Sequence, residues 1–124
     1  MQCPHLVKLN LGRCRFITDD SILLLAQNCT NLVSLDVSWT GVTDTSAKQI
    51  LQRVEKLRHV SFQGCKAVTS EIVPHLCLFL KSLLVDLSWV DDFSCDIIQF
   101  IIQRNPNLAL LDYYGNMSEG SLFL

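Results

Sequence analysis

The sequence lacks a strong charge of either sign, a long hydrophobic run and a leader-like beginning. It has 10 basic and 12 acidic side chains in 124 residues, and its net charge is −2 at pH 7. Nucleic-acid surfaces need clustered lysine and arginine, so this balance argues against such a partner. The longest apolar stretch, 72–85, is too short to span a bilayer and is interrupted by Pro74, His75, Lys81 and Ser82. Residues 1–4 have neither the basic nor the apolar region of a secretory signal. We therefore expect no membrane or nucleic-acid partner.

Metal-site spacing is also absent, although the chain has six cysteines. There is no C-x-x-C pair and no Cys/His quartet at zinc spacing, and the nearest approaches are Cys3-Pro4-His5 and His75-Leu76-Cys77. The cysteines recur instead at positions that also accept other small or apolar residues. We interpret them as packed, reduced thiols, which fit a location in the cytoplasm or the nucleus.

Catalytic motifs are missing as well. The sequence contains no nucleophile elbow, phosphate-binding loop or H-E-x-x-H. His5, His59 and His75 fall at three different positions of the pattern described next, so no Ser- or Cys-based triad is expected. We predict that the chain is not an enzyme and binds neither a cofactor nor a metal.

What the sequence does contain is a block that returns every 25 or 26 residues. Leu6, Leu9 and Leu11 reappear as Leu32, Leu35 and Val37. A period of this length predicts stacked units that bury a face against each other. We assign one domain over 1–124 with repeats at about 3–28, 29–53, 54–79, 80–104 and 105–124, the last incomplete.

Each repeat carries signals for a strand, a turn and a helix. Leu9 and Leu11 alternate with polar residues, as in a short half-buried strand. Helix caps and first-turn acids follow, and then apolar residues at helical spacing. The predicted caps are Thr18, Thr43, Thr69 and Ser94. The pattern predicts an α/β solenoid of about 4–5 repeats, a right-handed arc with a concave parallel sheet and convex helices of about ten residues each.

Two irregularities affect the third and fourth repeats. Pro74 falls in the first turn of the third helix, where a missing N–H has little cost. The junction that follows is one residue short, because the helix points to Leu83 as the next buried anchor whereas strand 85–87 points to Ser82.

The residues of the first repeat resemble a known repeat class. Cys3 to Cys29 matches the pattern C-x-x-L-x-x-L-x-L-x-x-C-x-x-I-T-D, with a helix ending in A-x-x-C at Ala26. This is similar to the cysteine-containing leucine-rich repeat, and the resemblance covers about 3–116. Two positions carry the Cys pattern: one is filled by Cys3, Cys29 and Val54, and the other by Cys14, Thr40, Cys65, Val90 and Asn116.

This repeat class is typical of F-box/leucine-rich-repeat proteins, the substrate receptors of SCF-type ubiquitin ligases. The resemblance implies an arc that holds a protein substrate for ubiquitin-dependent catabolism, while a separate F-box docks to the ligase core. No F-box is visible in these residues, and the pattern is already in phase at Cys3. We therefore expect part of a longer receptor or a short isoform.

Other interpretations remain open. The chain could be a structural or scaffolding repeat protein without a ligase role, or a short isoform that competes with the full receptor. An enzyme inhibitor of the ribonuclease-inhibitor type is a third class, but its repeats are longer by resemblance. An F-box encoded upstream of Met1 would decide between the first two.

Outward strand positions predict where a partner binds. One row across the strands is Asn10, Asp36, Ser61, Asp86 and Asp112, a second includes His59, and a third ends at Tyr114. Trp39 and Trp89 follow equivalent strands, about 10 Å apart at ordinary strand spacing. Tryptophan is a favoured interface residue, and aspartates suit a basic peptide or an arginine. The candidate site is Trp39, Trp89, Asp36, Asp86, Asp112, Asn10, His59 and Tyr114.

A purely structural interpretation competes with this one. The aspartates can simply be solvated positions of the repeat, and the aromatic rings can simply cover the core. Neither end of the array shows a clear polar cap, which solenoids need. We therefore also expect that the isolated chain is marginally stable or self-associates.

Overall fold

The computed structural model describes residues 4–123 and shows a repeating strand–turn–helix chain. Its strands are β1 (Lys8–Asn10), β2 (Ser34–Asp36), β3 (His59–Ser61), β4 (Leu83–Asp86), β5 (Leu108–Leu111) and β6 (Met117–Glu119). Its helices are α1 (Asp19–Asn28), α2 (Asp44–Arg53), α3 (Val73–Cys77) and α4 (Cys95–Arg104), and a 3₁₀ turn, Ser70–Ile72, leads into α3. β1 to β5 pair in parallel in chain order, and β6 pairs antiparallel with β5.

The core lies between the sheet and the helices. The middle strand residues Leu35, Val60 and Val85 are fully buried, as are Ile22 and Ile50 of the first two helices. This arrangement confirms the predicted leucine-rich-repeat solenoid with a parallel sheet on one side and helices on the other. We call the outer, concave side of the sheet the sheet face. The assignment of five repeats to one domain stays a prediction, and its first residue, Cys3, lies outside the described residues.

The predicted helix caps are confirmed. Thr18, Thr43, Thr69 and Ser94 each accept a hydrogen bond from a backbone N–H of the first helical turn. This satisfies donors that have no partner inside the helix. The helix starts are therefore fixed by local sequence.

Two first-turn acids also join neighbouring repeats. Asp19 accepts hydrogen bonds from the N–H of Thr43 at 3.0 Å and its hydroxyl at 2.7 Å, and from the hydroxyl of Ser46. Asp44 accepts from the N–H and the hydroxyl of Thr69, both at 2.6 Å. We call these contacts the inter-repeat carboxylate bridges. The sequence analysis had assigned these acids only to the helix dipole.

The third helix is shorter than the predicted ten residues. Pro74, at the start of α3 as expected, has no N–H to donate to the carbonyl of Ser70, and the N–H of Val73 makes a 3₁₀ bond to it instead. The five-residue α3 then ends, and Leu78 and Leu80 are left exposed.

The register of the last two strands corrects part of the predicted rows. Leu83 is the buried anchor, and Asp86 pairs with Leu111 rather than Asp112. The row from Asn10 to Asp86 holds, but Asp112 lies one residue beyond its predicted place. The reason is a hairpin: the N–H of Asp112 bonds to the carbonyl of Asn116 at 3.0 Å, and the chain reverses into β6.

Sequence reasoning missed β6. It covers the outer edge of β5, and the contact continues where the N–H of Gly120 bonds to the carbonyl of Leu108 at 2.7 Å. A paired edge is protected from association with other chains. The expectation of two uncapped ends is therefore wrong for this end of the array.

The prediction that the repeat cysteines are buried is partly wrong. Cys29 and Cys65 are buried as expected, and the Cys65 thiol donates to the carbonyl of Val37 in the preceding repeat at 3.1 Å. Burial raises the pKa of the Cys65 thiol. Cys14 and Cys95 are exposed. Among the described residues, no repeat precedes that of Cys14 to cover it.

Two further searches extend over residues 4–123. Within them, no helix combines the length and apolar character required to cross a bilayer. In the same residues, no three His, Cys, Asp or Glu side chains are grouped to hold a metal ion.

Candidate functional site

The turn that follows each strand has an unusual backbone conformation. At equivalent places, Arg13, Trp39, Gly64 and Trp89 have φ angles of 63°, 56°, 70° and 60°. Glycine adopts this left-handed conformation freely, whereas a bulky side chain pays a steric cost. The conformation lets each N–H reach the next repeat, as from Trp39 to the carbonyl of Gln63 at 2.7 Å.

The two tryptophans are in contact. Their ring centroids are 6.3 Å apart, closer than the predicted separation of about 10 Å for positions two strands apart. Gly64 explains the difference, because a Cβ at this glycine would lie 2.3 Å from Cε3 of Trp39. The Trp39 ring therefore lies across the glycine and reaches Trp89.

The contacts continue through two tyrosines. The ring centroids of Trp89 and Tyr113 are 5.5 Å apart, and those of Tyr113 and Tyr114 are 5.1 Å apart. At the other end, the guanidinium of Arg13 lies 5.3 Å from the Trp39 ring centroid. Trp89 is 50% exposed and Tyr114 is 82% exposed. We call Trp39, Trp89, Tyr113 and Tyr114 the aromatic ladder.

Tyr113 was missed by sequence reasoning. Counting 26 residues from Trp89 leads to Gly115, but the N–H of Trp89 bonds to the carbonyl of Tyr113. The hairpin displaced the last turn by one residue, and only the paired tyrosines in the sequence signalled an aromatic contact there.

The predicted polar residues hold the turns that carry the ladder. Side-chain oxygens of Asn10, Asp36, Asp86 and Asp112 accept hydrogen bonds at 2.8–3.0 Å from the N–H two residues ahead. Such Asx turns fix the direction of the chain after a strand. The aspartates are thus structural, and their charges lie at the base of the ladder.

His59 belongs to a different part of the sheet face. Its Nδ1 lies 3.2 Å from the hydroxyl of Ser34 on the neighbouring strand. The structure therefore brings Trp39, Trp89 and Tyr114 together, and it leaves His59 outside the ladder.

The sheet face changes character along the array. Lys8, Ser34 and His59 form a polar row that continues in register into Leu84 and then Ala109. Met117 of β6 lies opposite Leu111 and is exposed. The face is polar on the first three strands and apolar on the last three.

Comparisons with known proteins agree with this architecture. A family model described as "Leucine Rich repeat" matches residues 2–26 and 28–51. The DNA repair protein rhp7 of Schizosaccharomyces pombe (strain 972) is 36% identical over 74 residues, which are 57% of this chain and 13% of that protein. Lysine-specific demethylase 2B of Mus musculus is 29% identical over 85 residues, which are 68% of this chain and 6% of that protein.

A solved structure has the same fold. A chain in the crystal structure of the Rad7 and Elc1 complex in yeast superposes with a TM-score of 0.70 at 23% identity, over 88% of this chain and 28% of that chain. The present chain therefore spans only a small part of the proteins that it matches. Taken with its own repeats, these matches identify the chain as a leucine-rich-repeat array that resembles the arrays of F-box/leucine-rich-repeat proteins.

Proposed function

We propose that this array recognises a protein substrate for an F-box-type ubiquitin ligase, and that the aromatic ladder with the sheet face is the contact surface. Leucine-rich repeats of this kind are protein-interaction modules. The observation that carries the proposal is the left-handed backbone at Trp39 and Trp89, where two bulky side chains stand in a conformation that favours glycine.

The energetic argument concerns why these rings are present. A left-handed conformation costs roughly 1–2 kcal/mol for a residue other than glycine. Half of the Trp89 surface gains nothing from burial within the chain. Backbone strain of this kind is typical of functional positions. Exposed tryptophan and tyrosine are the side chains that dominate protein interfaces, so binding supplies the missing reason.

The sheet face supplies the rest of the proposed surface. Asp36, Asp86 and Asp112 place negative charge beside the ladder, and Asn10 and His59 offer hydrogen-bonding groups on the first three strands. An extended segment with basic and apolar side chains would match this sequence of polar and apolar positions. Tyr114 would close its far end.

The ligase role is supported by resemblance. The repeat pattern is similar to that of F-box/leucine-rich-repeat receptors, and rhp7 is by name a DNA repair protein. We propose the cytoplasm or the nucleus as the location, and docking to the ligase core through an F-box outside these residues. The array would act without catalysis, cofactor or metal.

The test combines crosslinking with protein turnover. A photo-crosslinking amino acid at Tyr114 of the full gene product should capture a protein in cells, whereas the same group at Gln103 on α4 should not. The half-life of the captured protein should lengthen when the double variant Trp39→Ala/Trp89→Ala replaces the natural sequence. Capture with an unchanged half-life would favour the scaffold or competing isoform. Equal capture from both positions would contradict the proposed surface.

A further inference from the structure

The end of the aromatic ladder contains a cavity that the sequence analysis did not predict. It has a volume of about 270 Å³, and Asp91, Asp112, Phe93, Tyr113 and Tyr114 contribute to its lining. Sites for drug-sized molecules measure about 300–1,000 Å³. This cavity is therefore suited to one long side chain rather than to a small-molecule ligand.

We propose that this cavity binds an arginine side chain of the protein partner. The proposal rests on the proposed function and names the residue type that the partner inserts. A guanidinium combines a positive charge with a planar face, so it can pair with a carboxylate and stack on an aromatic ring at once. Asp91 and Asp112 supply the carboxylates, and the two tyrosines supply the rings.

The chain itself contains this type of contact at the other end of the ladder. Arg13 lies over Trp39 with 5.3 Å between the guanidinium carbon and the ring centroid. Tyr114 occupies the corresponding turn of the last repeat, but there no basic side chain lines the cavity. Stacking of a cation on an exposed ring is favourable, and more so when water is displaced.

The charge distribution favours a basic partner at this end. Residues 82–124 contain six acidic side chains, and Arg104 is their single basic one. The first 81 residues have nine basic and six acidic side chains. Opposite charge on a partner speeds its approach and selects its orientation. The acidic cavity is continuous with the ladder, because Tyr113 belongs to both.

The direct test is a titration of the 124-residue chain, followed by NMR at low salt, with the peptide acetyl-Gly-Arg-Gly-amide. The matched probe replaces arginine with citrulline, which keeps the shape and removes the charge. We expect saturable shifts at Tyr113 and Tyr114 with a Kd of about 1–10 mM for arginine. No saturation is expected for citrulline.

Two variants test the carboxylates. Asp112→Asn keeps an oxygen for the turn N–H groups of Tyr114 and Asn116, and Asp91→Asn changes an exposed residue with no turn to support. Each should weaken arginine binding about threefold or more, because each removes one charge partner. Asp20→Asn, an exposed acid on α1, should leave the Kd unchanged.

Several outcomes would overturn the proposal. Equal shifts with citrulline would show that charge is not recognised, and unchanged affinity in Asp91→Asn would remove the carboxylate role. Concentration-dependent shifts of the same tyrosines without peptide would assign the cavity to a second copy of the chain. The titration leaves the ladder tryptophans unaltered. Arginine binding without partner crosslinking at Tyr114 would therefore count against the proposed function alone.

Discussion

Gly64 determines at the residue scale whether the aromatic ladder exists. It stands between the two tryptophans along the array, and its missing side chain gives space to the Trp39 ring. Its φ of 70° is the value that Trp39 and Trp89 adopt at a cost. The ladder therefore depends on one residue that is small and on two that are strained.

We predict that Gly64→Ala separates the two tryptophans. The new Cβ would overlap the Trp39 ring, which must rotate away from Trp89. Overpacking of this kind costs about 1–3 kcal/mol of unfolding free energy. Near-ultraviolet circular dichroism should lose the signal of the coupled tryptophans, and chemical denaturation should report the lower stability.

Gly115→Ala is the matched control. Gly115 also has a positive φ, 81°, but nothing lies within 4 Å of a Cβ added there. This variant should share the backbone strain and keep the tryptophan signal. If both variants left the signal intact, Trp39 would not depend on the space above Gly64.

Between neighbouring elements, the carboxylate bridges connect successive helix starts. Asp19 reaches the cap of α2, and Asp44 reaches the cap that precedes α3. Ser70 takes the corresponding position in the third repeat, and Asp92 reaches back to its N–H at 2.7 Å instead. The bridge pattern thus changes where the third helix is short.

We predict that Asp19→Asn destabilises the chain at neutral pH and flattens its acid unfolding. Burial alone would raise the pKa of Asp19, but hydrogen bonds from Ser46 and Thr43 outweigh it and lower the pKa below its ordinary value. Since the folded state binds the proton less well, this carboxylate stabilises the fold above the unfolded pKa of about 3.9. That stability is lost as the pH falls through the folded pKa.

The expected loss for Asp19→Asn at pH 7 is about 1 kcal/mol, because the bridge is partly exposed to water. Denaturation at pH 7 and at pH 3 measures it, and the difference from the natural chain should shrink at the lower pH. Asp20→Asn removes the same charge next door, on an exposed residue without a bridge, and should change little. An equal effect in both variants would point to the helix dipole instead.

We predict that Gly120→Ala detaches β6 from β5. A Cβ at Gly120 would lie 2.2 Å from the carbonyl oxygen of Pro106, which is backbone and cannot move aside easily. The strain should cost about 1–3 kcal/mol, and amide hydrogen exchange should accelerate at Gly120 and Leu122, whose N–H groups bond across this contact. Gly41→Ala, with nothing within 4 Å, is the control. Unchanged exchange in Gly120→Ala would contradict the role of β6 as a cover.

The elements differ in how far local sequence determines them. The caps at Thr18 and Thr43 depend on a hydroxyl beside a helix start, so a single repeat is enough to predict them. The length of α3 depends on which carbonyl loses its donor at Pro74, which spacing alone does not show. The β5–β6 hairpin depends on a pairing between 109 and 119, and the 25-residue period contains no signal for it.

The whole molecule has two different ends. β6 covers the last parallel strand, whereas at the other end of the described chain Phe16 is 92% exposed and Leu24 is 60% exposed. Exposed apolar surface favours association. The ladder runs between these ends, and its tryptophans were predictable as equivalent positions. Their contact was not, because it depends on the missing side chain of Gly64.

We predict that any self-association of the 124-residue chain involves its first repeat. Leu24→Gln should lower the sedimentation coefficient of concentrated samples toward that of a monomer. Leu122→Gln changes a leucine of the same 60% exposure at the other end and should not. An effect of Leu122→Gln alone would place the association at the β6 end.

The most direct test of the binding surface is Trp89→Gly, with stability and partner binding measured on the same protein. Glycine relieves a backbone cost of about 1–2 kcal/mol, which offsets ring contacts worth about 0.5–1.5 kcal/mol each. The unfolding free energy should therefore change by less than about 1 kcal/mol, while affinity for the protein crosslinked at Tyr114 falls at least about 30-fold, as at an interface hot spot. A large loss of stability with unchanged affinity of the folded protein would show that the ladder only covers the core.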